Sequence, residues 1–216
     1  MRIRELTFFI FLAFLSPEIA AQKTAKGYYL GLNNDSIVTK FKLPKGIQST
    51  VNGNGTPQID LSHLKDEIVV INSKGEIQRL TPAEIRTFTF TFGSKQYQLF
   101  SKPVTEYRRN FLYPQIMGRK VNLFNYTKGH PGHPIGFGHK SSSPGWKDYF
   151  WTFEKYDRTY LFLNSKMRKR EIARKLKEFF KDSPQVQELI DKKLNRFMAE
   201  TPNTIESIVE AYNNIE

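Results

Sequence analysis

The sequence contains no cysteine. Disulfides, thiolate metal sites and cysteine nucleophiles are therefore excluded, and so is a lipid anchor attached to cysteine at a leader cleavage site. Whatever fold forms must rest on its own apolar core. Long hydrophobic runs are scarce as well. The only one, residues 6–15 (LTFFIFLAFL), is about half the length a membrane-spanning helix needs. There is no Gly-x-Ser-x-Gly elbow, no His-Glu-x-x-His helix and no glycine-rich phosphate cradle leading into a helix, so the common signatures of serine hydrolases, zinc proteases and nucleotide-binding enzymes are missing. Nothing in the sequence calls for a cofactor, and no motif for specific nucleic-acid recognition is present.

The early apolar run follows Arg2 and Arg4, is broken by Ser16-Pro17 and leads to Ala20-Ala21. That is the layout of a secretory signal peptide, with cleavage expected after Ala21. The expected product is exported, periplasmic or extracellular, and without a transmembrane anchor. Lys and Arg number 33 against 21 Asp and Glu, a net charge of +12. Arg2, Arg4, Glu5 and Glu18 cancel within the leader, so the exported part keeps all of it. Such a charge speeds encounters with polyanions, which in the envelope are anionic lipid headgroups, lipopolysaccharide and acidic glycans.

Beyond the leader, the pattern predicts an antiparallel β domain over 22–164 and a C-terminal segment of three short helices over 165–216, an α+β class with a meander or half-barrel. Phe88, Phe90 and Phe92 alternate with Thr87, Thr89 and Thr91, a period of two that places rings on one strand face and hydroxyls on the other. Gly93-Ser94-Lys95 then turns the chain, and residues 86–100 read as a hairpin with one buried and one wetter face. Residues 26–32 and 36–43 form a first hairpin through Asn33-Asn34-Asp35, and residues 68–71 and 77–80 another through Asn72-Ser73-Lys74-Gly75. Residues 149–154 and 159–163 make a further, aromatic hairpin. Two stretches, 44–58 and 128–145, are rich in Gly, Asn, Ser and Pro and read as mobile loops. Residues 104–117 carry apolar side chains near helical spacing but contain Pro114, and read as a short helix or an irregular crossing.

From Ser165 the period changes. Ile172, Leu176 and Phe179 recur at helical spacing, Ser183-Pro184 caps a second helix, and Thr201-Pro202 or Asn203 opens a third. On a helix spanning 166–181, Lys166, Arg170, Arg174, Lys177 and Lys181 fall on one stripe opposite the apolar one. That segment holds eight basic and two acidic residues, half of the protein's charge excess. These five are the candidate contacts for an anionic partner; the bland alternative is the solvated outer face of a packed helix.

His130, His133 and His139 fall within ten residues and are candidate ligands for Zn²⁺ or Cu²⁺, the basis of an alternative reading as a metal-dependent enzyme or hydrolase. Intervening Pro131, Gly132, Pro134, Gly136 and Gly138 argue against the rigid backing that metal sites need. Asp148, Glu154 and Asp157 surround the aromatic hairpin; two acids near rings are the equipment of a glycosidase, though turn acids beside Lys155 and Arg158 read more simply as solvated charges. Trp146 and Trp151, with Tyr149, offer rings for stacking on sugars, or else belong to the core.

Several stretches together resemble a group of exported proteins of unknown function from the Bacteroidota. These are the leader end Ala20-Ala21-Gln22-Lys23, the opening Lys26-Gly27-Tyr28-Tyr29 with Asn34-Asp35-Ser36-Ile37, the strand entry Leu80-Thr81-Pro82-Ala83-Glu84-Ile85, and the ending Ile208-Val209-Glu210-Ala211-Tyr212-Asn213. Members place Gly-Asp where this chain has Asn34-Asp35. The resemblance implies export and an envelope setting, and supplies no site residues. The expectation is a non-enzymatic binding or accessory protein, contacting an anionic envelope component or glycan. The sequence specifies no oligomeric state.

Overall fold

The computed structural model describes residues 23–45, 47–51, 57–130, 146–194 and 201–215. The expected leader, His133 and His139 lie outside the described residues. Ten antiparallel strands form one open sheet in the order β12-β11-β10-β9-β8-β7-β1-β2-β5-β6. They are β1 (Thr24–Gly31), β2 (Ser36–Lys42), β5 (Ile68–Ile71), β6 (Ile77–Leu80), β7 (Ile85–Phe92), β8 (Lys95–Pro103), β9 (Arg109–Met117), β10 (Val121–His130), β11 (Trp146–Lys155) and β12 (Tyr160–Asn164). Three helices follow, α1 (Lys169–Phe179), α2 (Pro184–Leu194) and α3 (Thr201–Asn213). The architecture is α+β: an antiparallel meander with a C-terminal three-helix segment.

One expectation needs correction. Residues 109–117 are neither helix nor irregular crossing but β9, which pairs with β8 through Arg109 to Leu112 and with β10 from Tyr113 onward. Pro114 is tolerated because the register shifts there, a bulge at which a missing N–H costs no ladder bond. Within 44–58, residues β3 (Gln48–Val51) and β4 (Pro57–Ile59) pair as a small second sheet. The ends of the 128–145 stretch likewise extend β10 and begin β11, with His130 opposite Trp146.

The sheet is bent in two directions. Along its first half, Phe41, Phe88, Phe90, Leu99 and Phe111 share one face and pack with Ile68, Val70 and Leu80. The rings touch, Phe88 standing edge-on to Phe111 at 4.9 Å. The Phe111 N–H donates to the Lys65 carbonyl at 2.8 Å, so the chain entering β5 closes onto β9, five strands away in sheet order. Gly27 sits where these layers are tightest: a Cβ there would lie 2.8 Å from both the Phe41 ring and Phe90 Cα.

On the other face, Thr152 Oγ1 of β11 donates to the Pro103 carbonyl of β8 at 3.1 Å. Three strand spacings separate those strands in a flat sheet, roughly 14 Å. Direct contact means the second half curls toward this face. Thr87 and Thr89 are buried as fully as Phe88 and Phe90, so the wetter face expected for the 86–100 hairpin exists only at its tip. The middle of β7, residues 87–90, and the start of β9, residues 110–112, are buried on both sides.

The helices pack on the apolar face of the second half of the sheet. Ile172, Leu176 and Phe179 of α1, Val186 and Ile190 of α2, and Ile205, Ile208 and Val209 of α3 join Val121, Leu123, Trp151, Phe153 and Leu163 in a second core. Ser183 caps α2 by accepting from the Val186 N–H, as its Ser-Pro sequence predicts. No helix among the described residues is long and apolar enough to cross a membrane.

Candidate anion-binding surface

The helix that carries the basic stripe is shorter than expected. It spans Lys169–Phe179, which places Lys166 in the turn before it and Lys181 in the turn after it. Arg168 lies in extended backbone at its start and makes no capping bond, so the basic run begins ahead of the helix proper.

The five predicted residues divide into committed and uncommitted charges. Lys166 Nζ lies 3.0 Å from Asp148 Oδ2, a carboxylate almost wholly buried. Lys177 Nζ lies 2.6 Å from Asp191 and so ties α1 to α2. Arg174 meets Glu178 one turn on, at 3.7 Å and well exposed, a pairing of little energetic weight. Arg170 and Lys181 form no ion pair among the described residues and are exposed. Between α1 and the β11–β12 hairpin opens a cavity of about 600 Å³, to which Arg174, Lys175 and Lys181 contribute together with Lys155, Asp157 and Glu178. Four of these lining residues are cations and two are acids.

Lys155 is a residue the sequence did not single out. Its side chain is mostly buried, and Nζ donates to the Phe179 carbonyl at 2.7 Å and to Asp182 at 3.1 Å. The ammonium also lies 4.9 Å from the Phe179 ring centre and 5.2 Å from that of Tyr212. A cation at a helix C-terminus opposes the partial negative charge of the last carbonyls, and Lys155 does so for α1 from a neighbouring hairpin. Its position before a turn gave no hint of this.

The other candidates separate in space. His130 ends β10, while His133 and His139 lie outside the described residues. No group of three or more His, Asp or Glu that could hold a metal occurs among the described residues. Asp148 and Glu154 are not solvated turn acids: Asp148 is buried beside Lys166, and Glu154 is held by Lys102 and by the Tyr160 hydroxyl. Asp157 is exposed and accepts from the Thr159 N–H, which, as the main influence, keeps its carboxyl below the usual range. Trp151 and Tyr149 stack at 5.8 Å within and against the helix-side core rather than facing solvent together.

No protein-family model, curated protein or solved structure matches the chain.

Proposed function

We propose that the protein is an exported, non-catalytic binding or accessory protein of the bacterial envelope, which meets an anionic envelope component or glycan through the basic face of α1. The observation that carries this reading is the set of exposed cations without carboxylate partners among the described residues, Arg170 and Lys181, continued by the weakly engaged Arg174 along the groove against the β11–β12 hairpin. A helix serving only to pack needs no such surplus on its outer side. The opposite face, Ile172, Leu176 and Phe179, already anchors it. Long-range attraction of this kind weakens as salt shortens the screening length, to about 10 Å at 0.1 M.

The test is retention of the purified chain on heparin resin and on anionic liposomes during a rising salt gradient. The triple variant R170Q/R174Q/K181Q leaves Lys177 and Lys166 in their ion pairs and is expected to elute at clearly lower salt. Retention identical to the parent protein on both supports would overturn the assignment to α1.

A further inference from the structure

A second cavity, of about 660 Å³, opens where the curled sheet brings β1, β7 and β8 against the β11–β12 turn. Its size lies within the usual range for small-molecule sites. The walls divide by chemistry. Leu30, Leu32 and Phe100 supply apolar surface; Arg86, Lys102, Arg109 and Arg158 supply positive charge; no lining residue among the described ones is acidic.

Two of the arginines that line the cavity keep guanidinium donors that no described residue uses. Arg109 is held rigidly: its Nε donates to Ser101 Oγ at 3.0 Å and its Nη2 to the Ser101 carbonyl at 2.7 Å. Ser101 is buried and itself donates to the Pro82 carbonyl, so the guanidinium is braced from the β6–β7 turn while its remaining N–H groups stay uncommitted among the described residues. Arg158 is held by its backbone. Among the described residues four have positive φ: Asn34, Gly75, Gly93 and Arg158. Three are glycine or asparagine, which accept that conformation at little cost; an arginine at φ 64° does not. The β11–β12 turn would close at least as well on glycine, so the turn does not account for this side chain. The cavity does. Tyr160 lines the same cavity as both arginines, and Lys102, unlike them, is already neutralised by Glu154.

We propose that this cavity binds a small amphiphilic carboxylate, its head between Arg109 and Arg158 and its alkyl or aryl body against Leu30, Leu32 and Phe100. A planar guanidinium presents paired donors that match the two oxygens of a carboxylate, and the surrounding apolar wall strengthens that pairing by excluding water. The site is separate from the α1 surface, none of whose candidate residues lines it.

Isothermal titration with octanoate, acetate and octan-1-ol tests head and tail separately. Octanoate is expected to give a saturable heat, acetate none over the same range, and octan-1-ol binding at least tenfold weaker than octanoate. Arg158→Gly removes the guanidinium while suiting the backbone, so it should keep the thermal transition of the parent and weaken octanoate at least tenfold. Arg109→Gln, read the same way, should weaken it by a similar factor, and R170Q/K181Q should leave it unchanged. No saturable heat from octanoate, equal affinity for octan-1-ol, or unaltered octanoate affinity in a folded Arg158→Gly protein would each overturn the proposal.

Discussion

Lys102 Nζ lies 2.6 Å from Glu154 Oε2 and 2.8 Å from Oε1, an ion pair that joins β8 to β11 across two intervening strands. Both side chains are more than four-fifths buried, at 18% and 14% exposure. Tyr160 donates a further hydrogen bond to Glu154 at 3.0 Å, and the Phe124 ring lies 4.7 Å from the ammonium. With the Thr152 to Pro103 bond, this pair fixes the curl that closes the second half of the sheet.

Removing one partner of such a pair leaves the other charge in an apolar setting, a loss of about 3 kcal/mol. Lys102→Met and Glu154→Leu are each expected to lower stability by that order in urea denaturation. The double variant should cost distinctly less than the sum of the two, because it leaves no charge stranded. Strict additivity would mean that the contact is incidental to the curl.

Asn110 faces the same closed region as the Cα partner of Lys102, is 1% exposed, and finds no hydrogen-bond partner for its side-chain amide among the described residues. An unsatisfied buried amide costs on the order of 1–3 kcal/mol, whereas an apolar side chain of similar size costs nothing of the kind. Asn110→Leu should therefore raise the urea midpoint. A fall of more than about 1 kcal/mol would reveal a polar role for that amide.

How much of this was legible beforehand depends on the range of the interactions. The Phe88, Phe90, Phe92 alternation and the Asn34 and Gly93 turns are local, and each hairpin they imply forms in the expected place. The apolar periods of the three helices are equally local, and all three appear. Burial of Thr87 and Thr89 was not legible, because it follows from strands that meet only once the sheet has curled. Residues 109–117 were misread for the same reason: Phe111 and Leu112 look like one side of a helix, but they face the two opposite layers of a strand covered on both sides. Of the candidate site, the chain order revealed the charge of α1 but not which lysines are already paired. Nothing local marks Lys166 as the partner of Asp148 or Lys155 as the cap of α1. The one missed signal was Arg158, an arginine at the place in a hairpin turn where glycine or asparagine is usual.

The C-terminal helix is clasped to the sheet by one side chain. Asn213 Oδ1 accepts from the Lys120 and Val121 N–H groups at 3.0 and 2.9 Å, and its Nδ2 donates to the Val121 carbonyl at 2.9 Å. Gly118 leaves room for that amide, since a Cβ at 118 would overlap it. Asn213→Ala is expected to cost about 2 kcal/mol through the backbone groups it abandons. Gly118→Ala should cost a similar amount by expelling the asparagine, and the double variant should cost little more than either alone. Thermal denaturation of the three proteins decides this: a doubled loss in the double variant would show that Gly118 serves the backbone rather than the clasp.

Stability should also fall at both ends of the pH scale through a single cluster. For Asp182, burial pushes the carboxyl up, but hydrogen bonds from Tyr212 and Lys155 and the charge of Lys155 together outweigh it and hold the group below its ordinary value of 3.8. A depressed carboxyl stabilises the fold above that ordinary value, and the contribution disappears as pH falls through the folded value. For Tyr212, burial first and the adjacent Asp182 second raise the phenol well above its ordinary 10.0. Its contribution is whole below pH 10 and is lost as pH rises beyond it toward the folded value. Thermal midpoints measured across both ranges should therefore decline less steeply in acid for Asp182→Asn and less steeply in alkali for Tyr212→Phe, each relative to its own midpoint near neutrality. Lys155 touches both groups, so Lys155→Met should flatten the acid limb as well. If Tyr212→Phe traced the parent's alkaline limb unchanged, the Tyr212 to Asp182 hydrogen bond would not be the linkage that joins α3 to the end of α1.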